Sequence, residues 1–511
     1  MTASQASGFA RQANDSATSR PDAAPGAKRE QAEVASRGSL AGYEPLRLPA
    51  LPTLLAVPVF EPLAPHGSLA LFGAVDDAGD AEADPRHPHG AWTGLVLDPN
   101  GKFRLEERTR FVLPEDYRKR LEHLCPDLGT APVLGQQRRW VLTVGGLAIR
   151  PLWVRPEARL LAPFQAALQG ARSPASTDLD RDGVPELWWF PPAGPGQGTV
   201  APVLSPCPGA KEPDRLGSLP WLGLLKGARS IRCFDLDEDL FEELFVLRAG
   251  DPVELLRNVS DLDMDPVEDD VELLDRADRR FEATELRLGP VRRDLQWALA
   301  FGGEQPVLLA RPVPGLVFEA HPRQPVRLEH HRILDARILD RDGDADEELL
   351  VLVETDAGPE LMYYDLPARK DGDVPLVARG LVVPGATALR VGDLDADGGP
   401  DLVVVRGRDA PLLLRGIDGV GPRGFTLRLA LEGPDDQPHA IGATVELLDP
   451  DNDTRLVRYR WPPQDTGDQP MLFLSWAGRE SAMPKLRVTW SDGNVQELER
   501  LTRNGYRFIR R

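Results

Sequence analysis

The chain has 511 residues, 41% of them hydrophobic, which is enough to bury a sizeable interior spread over two or more domains. Its 49 prolines and 47 glycines favour many turns and short strands over long helices. The formal net charge of −20 disfavours nucleic acid as a partner, because an acidic chain repels phosphate backbones.

Cysteine usage and apolar segments narrow the possible classes further. Cys125, Cys207 and Cys233 form no CxxC pair, which argues against a zinc ribbon and a dithiol redox motif. No stretch has the apolar length of an integral membrane segment. The first residues lack the apolar core of a secretory signal peptide. Two alternatives stay open: the protein is cytoplasmic, or it is exported and the sequence omits its leader.

Residues 1–45 are rich in Ala, Ser, Gln, Arg and Pro without periodicity, which predicts a disordered tail. Short apolar runs then recur at residues 68–75, 139–146, 186–190, 243–247, 306–310, 348–352 and 401–405. Their length and their Val, Leu and aromatic content favour buried strands. A spacing of about fifty residues is typical of a four-stranded propeller blade, so residues 46–412 are predicted to form an all-β propeller of about seven blades.

Four acidic runs of nine residues each precede one of these apolar runs, and they begin at residues 178, 235, 340 and 393. All four have Asp at positions 1, 3 and 5, and Asp or Glu at position 9. Calcium takes about six to eight oxygen ligands, and carboxylates on alternate residues of a tight loop can converge on one ion. Position 7 of such a loop supplies a main-chain carbonyl, and Gly at position 6 permits a positive φ.

The predicted calcium ligands are therefore four carboxylates and one main-chain carbonyl in each loop. They are Asp178, Asp180, Asp182, Val184 and Glu186; Asp235, Asp237, Asp239, Phe241 and Glu243; Asp340, Asp342, Asp344, Asp346 and Glu348; and Asp393, Asp395, Asp397, Gly399 and Asp401. In the loop at 235, Leu240 replaces the expected glycine, which predicts the weakest binding of the four.

Two other interpretations of acidic loops can be compared with this one. An EF-hand needs Glu at position 12, and the residues there are the apolar Trp189, Val246, Val351 and Val404. Solvated acidic turns without a metal remain an alternative. A fifth run at residues 261–269 matches the carboxylate positions but has Pro266 at position 6 and lies outside the repeat, which favours a solvated insertion.

The loops and the strands after them resemble FG-GAP/VCBS repeats, the calcium-loop repeats of the integrin α-subunit propeller and of many bacterial surface proteins. The resemblance covers residues 178–405 well and residues 46–177 poorly. It implies a calcium-loop propeller, and it suggests an extracellular or cell-envelope location.

Residues 413–511 are predicted to form a separate small β domain. The alternation in residues 424–433 places Phe425, Leu427, Leu429 and Leu431 on one face, and residues 485–501 predict two strands around a turn at 491–494. Together with residues 439–447 and 471–478, these segments resemble the ASPIC/UnbV domain of cartilage acidic protein-like proteins. The sequence departs from that family where "LFLSWAG" and "WSDG" replace its "HFGLG"-like and "WPSG" segments.

Motifs for catalysis are absent from the sequence: it contains no GxSxG, HExxH or Walker-type phosphate loop. We therefore expect a calcium-stabilised binding or scaffold protein that recognises a protein or glycan through propeller loops, and not an enzyme. The alternative is a propeller-type polysaccharide lyase or hydrolase with its site in the central funnel, since fold alone does not exclude catalysis. A purely structural role in a cell-envelope assembly is a third possibility.

Overall fold

The structure is a computed structural model that describes residues 220–511 with interruptions, the longest at 267–282. Before residue 220 it describes the strands and short neighbouring segments between residues 40 and 206. The described residues form 33 β-strands, joined by loops and by a 3₁₀ helix at Pro220–Leu225. The predicted all-β class is confirmed. No helix in the described part of the chain is both long and apolar enough to cross a bilayer.

The described strands before residue 220 comprise β1 and three antiparallel sheets. Their bounds are β1 Tyr43–Leu46; β2 Val59–Phe60, β3 Leu69–Ala74, β4 His89–Leu97 and β5 Phe103–Val112; β6 Leu128–Val133, β7 Arg139–Val144 and β8 Leu147–Ile149; and β9 Arg172–Thr177, β10 Glu186–Phe190 and β11 Val203–Pro206. Within each sheet the strands lie in sequence order, as expected when consecutive strands are joined as hairpins.

Four further sheets of four strands follow. Their bounds are β12 Ala228–Phe234, β13 Glu243–Arg248, β14 Glu254–Ser260 and β15 Asp263–Pro266; β16 Glu285–Arg292, β17 Leu295–Phe301, β18 Val307–Pro312 and β19 Glu319–Ala320; β20 Arg332–Leu339, β21 Glu348–Thr355, β22 Gly358–Asp365 and β23 Leu376–Val382; and β24 Ala388–Gly392, β25 Asp401–Arg406 and β26 Asp409–Gly416. The last sheet takes β1 as its fourth strand. We call residues 43–416 the repeat region.

Each of the seven predicted apolar runs overlaps a described strand, and six of these strands are the second of their sheet. The run at 306–310 is instead the third strand, β18, and the second strand of that sheet is β17. Strand β17, which contains Gln296, was not predicted, because the run in β18 already met the spacing of about fifty residues. Gln296 is fully buried, and its amide donates to the carbonyl of Gly289 at 3.0 Å, which satisfies a polar group that the core would otherwise not tolerate.

Successive sheets share hydrophobic cores. Trp188 of the third sheet and Ile231 of the fourth belong to one buried cluster. Leu350 of the sixth sheet and Leu389 of the seventh belong to another. Val403 of the seventh sheet belongs to the same cluster as Leu69 of the first. The last sheet of the repeat region therefore packs on the first.

Arginines on the first strands link neighbouring sheets in a repeated manner. The guanidinium of Arg232 donates to the carbonyl of Leu286 at 3.2 Å, and that of Arg287 donates to the carbonyl of Ala336 at 3.2 Å. That of Arg337 donates to the carbonyl of Leu389 at 2.8 Å. Each acceptor lies on the first strand of the next sheet, so four first strands lie side by side.

The two ends of the repeat region meet at its seventh sheet. Strand β1 pairs antiparallel with β26, with Tyr43 opposite Gly416. Leu40 and Tyr43 are each only 2% exposed, although composition placed both in the tail. The Cβ that an added side chain would place on Gly392 of β24 would lie 2.3 Å from the ring of Phe60 in β2.

Gly392→Ala tests this contact between the last and first sheets. We expect the free energy of unfolding to fall by about 1–3 kcal/mol, because the added methyl overlaps the fully buried Phe60 ring. Phe60→Leu combined with Gly392→Ala should lose less than the two single losses added together, in denaturant unfolding. Gly223→Ala is the control, since its Cβ would meet nothing within 4 Å. Additive losses would contradict the contact.

The described residues of 425–511, here called the C-terminal region, form seven strands. They are β27 Phe425–Glu432, β28 Thr444–Leu448, β29 Arg455–Arg460, β30 Leu472–Trp476, β31 Lys485–Thr489, β32 Val495–Leu498 and β33 Gly505–Arg510. Strands β30, β27 and β33 form one sheet; β29, β28, β31 and β32 continue the fifth sheet, because β29 pairs with β16. Leu427, Leu429 and Leu431 are buried in a common core, and β31 and β32 pair around the turn at 491–494, as predicted.

Candidate metal sites

Three of the four acidic loops are described in full or nearly so, and each connects the first and second strands of a sheet. We name the loops by their first residue: loop 235 lies between β12 and β13, loop 340 between β20 and β21, and loop 393 between β24 and β25. In loop 178, between β9 and β10, the predicted ligands Asp178, Asp180, Asp182 and Val184 lie outside the described residues, whereas Glu186 begins β10.

One hydrogen bond recurs in the three described loops. The backbone N–H at position 2 donates to the carboxylate at position 9, at 2.6 Å in each loop. The pairs are Leu236 with Glu243, Arg341 with Glu348, and Leu394 with Asp401. This bond ties the two ends of the loop together and holds the position-9 carboxylate against the loop backbone.

Three of the four predicted carboxylates come together in each of these loops, and Glu243, Glu348 and Asp397 are outside the groups. Oxygens lie within 4.8 Å of one another in the groups Asp235, Asp237 and Asp239; Asp340, Asp342 and Asp344; and Asp393, Asp395 and Asp401. Since calcium–oxygen distances are about 2.3–2.6 Å, oxygens up to about 5 Å apart can belong to one coordination shell. The spacing in each group is therefore compatible with one calcium ion.

Some predicted ligands have other contacts. Asp397 is outside its group: it is exposed, and its Oδ1 accepts from the N–H of Gly399 at 2.9 Å. The position-7 N–H groups of Phe241 and Asp346 donate in the same way to position 5, at 2.8 and 2.9 Å. The proposed role of the position-7 carbonyls stays a prediction.

Loop 235 contains buried oxygens that accept no hydrogen bond from the described residues. They are Oδ1 of Asp235, in a residue 5% exposed, and Oε1 of Glu243, in a residue with no exposure. Buried carboxylate oxygens normally have a donor or a cation beside them. The residues of loop 235 therefore fit a bound cation.

Burial also makes the ionised carboxylates of these loops unfavourable. It raises the pKa of Asp235 to about 6 and that of Glu243 to about 9, and for Glu243 the charges of the neighbouring aspartates add to this effect. Burial similarly raises the pKa of Asp340 to about 7 and that of Glu348 to about 10. A cation at each loop would offset this cost, because it stabilises the charged form.

The backbone at position 6 is left-handed in all three loops. The φ angles are +76° at Leu240, +72° at Ala345 and +102° at Gly398. Glycine adopts such angles without strain, whereas residues with a Cβ are disfavoured there by roughly 1–2 kcal/mol. The predicted position-6 geometry is thus present even where the sequence lacks glycine.

Gly398→Ala tests the conformational requirement of loop 393. We expect a loss of about 1–2 kcal/mol of stability, because φ of +102° disfavours a Cβ while the nearest atoms lie at an ordinary 3.8 Å. Gly223→Ala, in the 3₁₀ helix, where φ is not left-handed and space is open, should change stability little. Chemical denaturation of both variants decides the matter, and equal effects would refute the requirement.

Arginines of the repeat region contact the position-3 aspartates. Arg257 of β14 donates to Asp237 at 2.9 Å, Arg341 donates to Asp342 at 3.1 Å, and Arg415 of β26 pairs with Asp395. These residues were not predicted, because two of them lie on the third strand of the sheet, about twenty residues along the chain from the aspartate they contact. They balance part of the loop charge.

The C-terminal region contacts the position-1 aspartates of all three loops. Arg458 donates to Oδ2 of Asp235 at 2.5 Å, Arg428 pairs with Asp393, and the hydroxyl of Ser475 donates to Asp340. These aspartates are at most 5% exposed. At loop 178, Arg181 donates to the carbonyl of Ser491 at 2.9 Å. At these positions the C-terminal region therefore covers the loops, through which binding of an external partner was predicted.

Strand β29 is the main element in this contact. Its sequence is Arg-Leu-Val-Arg-Tyr-Arg, and its three arginines each pair with an acidic residue of loop 235. Arg455 contacts Glu238 at 2.5 Å, and Arg460 donates to Glu242 at 2.9 Å, in addition to the Arg458–Asp235 pair. The alternation of β29 places Arg458 and Arg460 on one face, as two-residue periodicity requires.

No family model and no curated protein matches the chain. Solved structures with some similarity include BBS1N in complex with ARL6DN, soaked with mercury (12% identity, 73% of this chain and 97% of that chain, TM-score 0.34), and the Dos1 propeller (8%, 75%, 96%, 0.35). A putative exo-beta-1,3-galactanase from Bifidobacterium bifidum s17 gives 12% identity over 56% and 95% of the chains, with a TM-score of 0.28. At these values the similarity assigns neither a family nor a function to this chain.

Proposed function

We propose that this chain is a calcium-stabilised scaffold: a β-propeller of about seven blades over residues 46–412, followed by a small β domain over residues 413–511. The proposed metal sites are supported by three described loops that have clustered carboxylates and the same hydrogen bond from position 2 to position 9. Shared cores between successive sheets, and the pairing of β1 with β26, support the propeller. The FG-GAP/VCBS and ASPIC/UnbV assignments remain part of this proposal.

The proposed partner is a protein or glycan that approaches the exposed side of the loops. The position-5 residues Asp239, Asp344 and Asp397 are exposed, whereas the position-1 residues are covered by the C-terminal region. A partner with basic groups would complement the net charge of −20. We propose loop 178 as a fourth site of the same kind.

The enzyme alternative receives less support from the described residues. A cavity of about 130 Å³ lies between the repeat region and the C-terminal region, lined among others by Arg287, Arg337 and Asp468. Arg337 pairs with Asp468 at 2.8 Å, and Arg287 pairs with Asp335 at 2.8 Å. Mutual pairing of these charges favours a structural contact over a reactive centre.

Calorimetric titration of chelator-stripped protein tests the metal sites. We expect about four calcium ions with extracellular-type dissociation constants on the order of 10⁻⁴–10⁻³ M. Asp395→Ala should remove one site, because Asp395 belongs to the loop 393 group. Asp263→Ala, in strand β15, should leave the number unchanged. Binding of no ion or of one ion would refute the proposal.

Thermal unfolding tests whether the ions stabilise the fold. At ten times the dissociation constant each independent site adds about 1.4 kcal/mol, so four sites add roughly 5–6 kcal/mol. The melting temperature should rise clearly with calcium and little with sodium at equal ionic strength. Magnesium should substitute poorly, because it requires a tighter octahedral shell. Equal melting curves in calcium and in chelator would exclude a stabilising role.

A further inference from the structure

Loops 235 and 393 each have a guanidinium group of the C-terminal region on the position-1 aspartate. Arg458 contacts both the side chain and the carbonyl of Asp235, at 2.5 and 3.2 Å, and the side chains of both residues are at most 7% exposed. Arg428 pairs with Asp393, whose side chain is 1% exposed. In both loops a guanidinium group is thus already in contact with a predicted metal ligand.

Loop 340 has a different contact at the same position. The C-terminal region supplies the neutral hydroxyl of Ser475 to Asp340, and the guanidinium of Arg292 of β16 lies 3.8 Å from the same carboxylate. Arg292 is itself paired with Glu347. Loop 340 is therefore a natural reference within the same molecule, since it has the carboxylate cluster without an arginine from the C-terminal region.

Two cations on one buried carboxylate repel each other, and this repulsion is strong where water is excluded. We propose that Arg458 and Arg428 oppose calcium at loops 235 and 393, so that metal binding there and docking of the C-terminal region weaken each other. The inference rests on the proposed calcium sites. By linkage, the factor by which docking lowers calcium affinity equals the factor by which calcium lowers docking affinity.

The test is calcium calorimetry on the full chain with Arg458→Met and Arg428→Met, which keep the apolar stem and remove the charge. Each variant should bind calcium about tenfold more tightly at its own loop, a change of about 1.4 kcal/mol. Adding Asp237→Ala to Arg458→Met should abolish that gain, which assigns it to loop 235. Arg510→Met is the matched control, because Arg510 pairs with Glu432 within the C-terminal region.

A second measurement uses the unchanged chain, so it does not depend on how well a variant folds. Val457 and Arg458 of β29 pair with Arg292 and Val291 of β16. Hydrogen exchange at the β29 amides should become faster as calcium saturates the loops. Slower or unchanged exchange would overturn the inference.

The outcomes separate this inference from the proposed function. If the wild-type chain binds calcium and both methionine variants bind it equally well, the linkage is refuted and the calcium sites stand. If only the variants bind calcium, the arginines replace the ion, which supports the inference and refutes calcium stabilisation of the natural chain. If no form binds calcium, both are refuted.

Discussion

Buried carboxylates need positive charge close to them, and this requirement organises the loop face of the repeat region. Asp235, Asp340 and Asp393 are nearly inaccessible to water, where an unpaired negative charge costs several kcal/mol. Guanidinium groups from two regions of the chain meet part of this requirement. Arg257 and Arg415 come from the same sheets as the loops, and the C-terminal region supplies others. The contact between the two regions is therefore an electrostatic consequence of the loops, and not only a hydrophobic one.

The same loops also define the sheets. Each one joins a first strand to a second strand, and its position-9 carboxylate begins the second strand while accepting from position 2. A cation held by such a loop would fix the register of the strands on either side, as a tight hairpin does. The candidate metal sites are thus part of the repeat, because the same nine residues form the turn, begin the second strand and supply the carboxylates.

The sequence predicted what depends on local spacing. Strands, their approximate positions and the convergence of alternate aspartates follow from periodicity and from the reach of short loops. Strand β17 was not predicted, because one apolar run was expected about every fifty residues and the run in β18 met that spacing. The pairing of Arg458 with Asp235 spans 223 residues, and no local pattern records such a contact. Charge partners that come from another sheet or region require the folded chain.

The differences among the loops follow from those distant partners. Loop 235 receives three arginines from β29, loop 393 receives Arg428, and loop 340 receives the uncharged Ser475. The sequence ranks the loops by glycine at position 6, whereas the structure ranks them by the positive charge already present. The two effects are of similar size, since a strained φ costs roughly 1–2 kcal/mol and the tenfold effect expected of one arginine is about 1.4 kcal/mol. Loop 340 still has arginines of the repeat region beside it, Arg292 at 3.8 Å from Asp340 and Arg341 on Asp342, so its difference from the other two loops is confined to what the C-terminal region supplies.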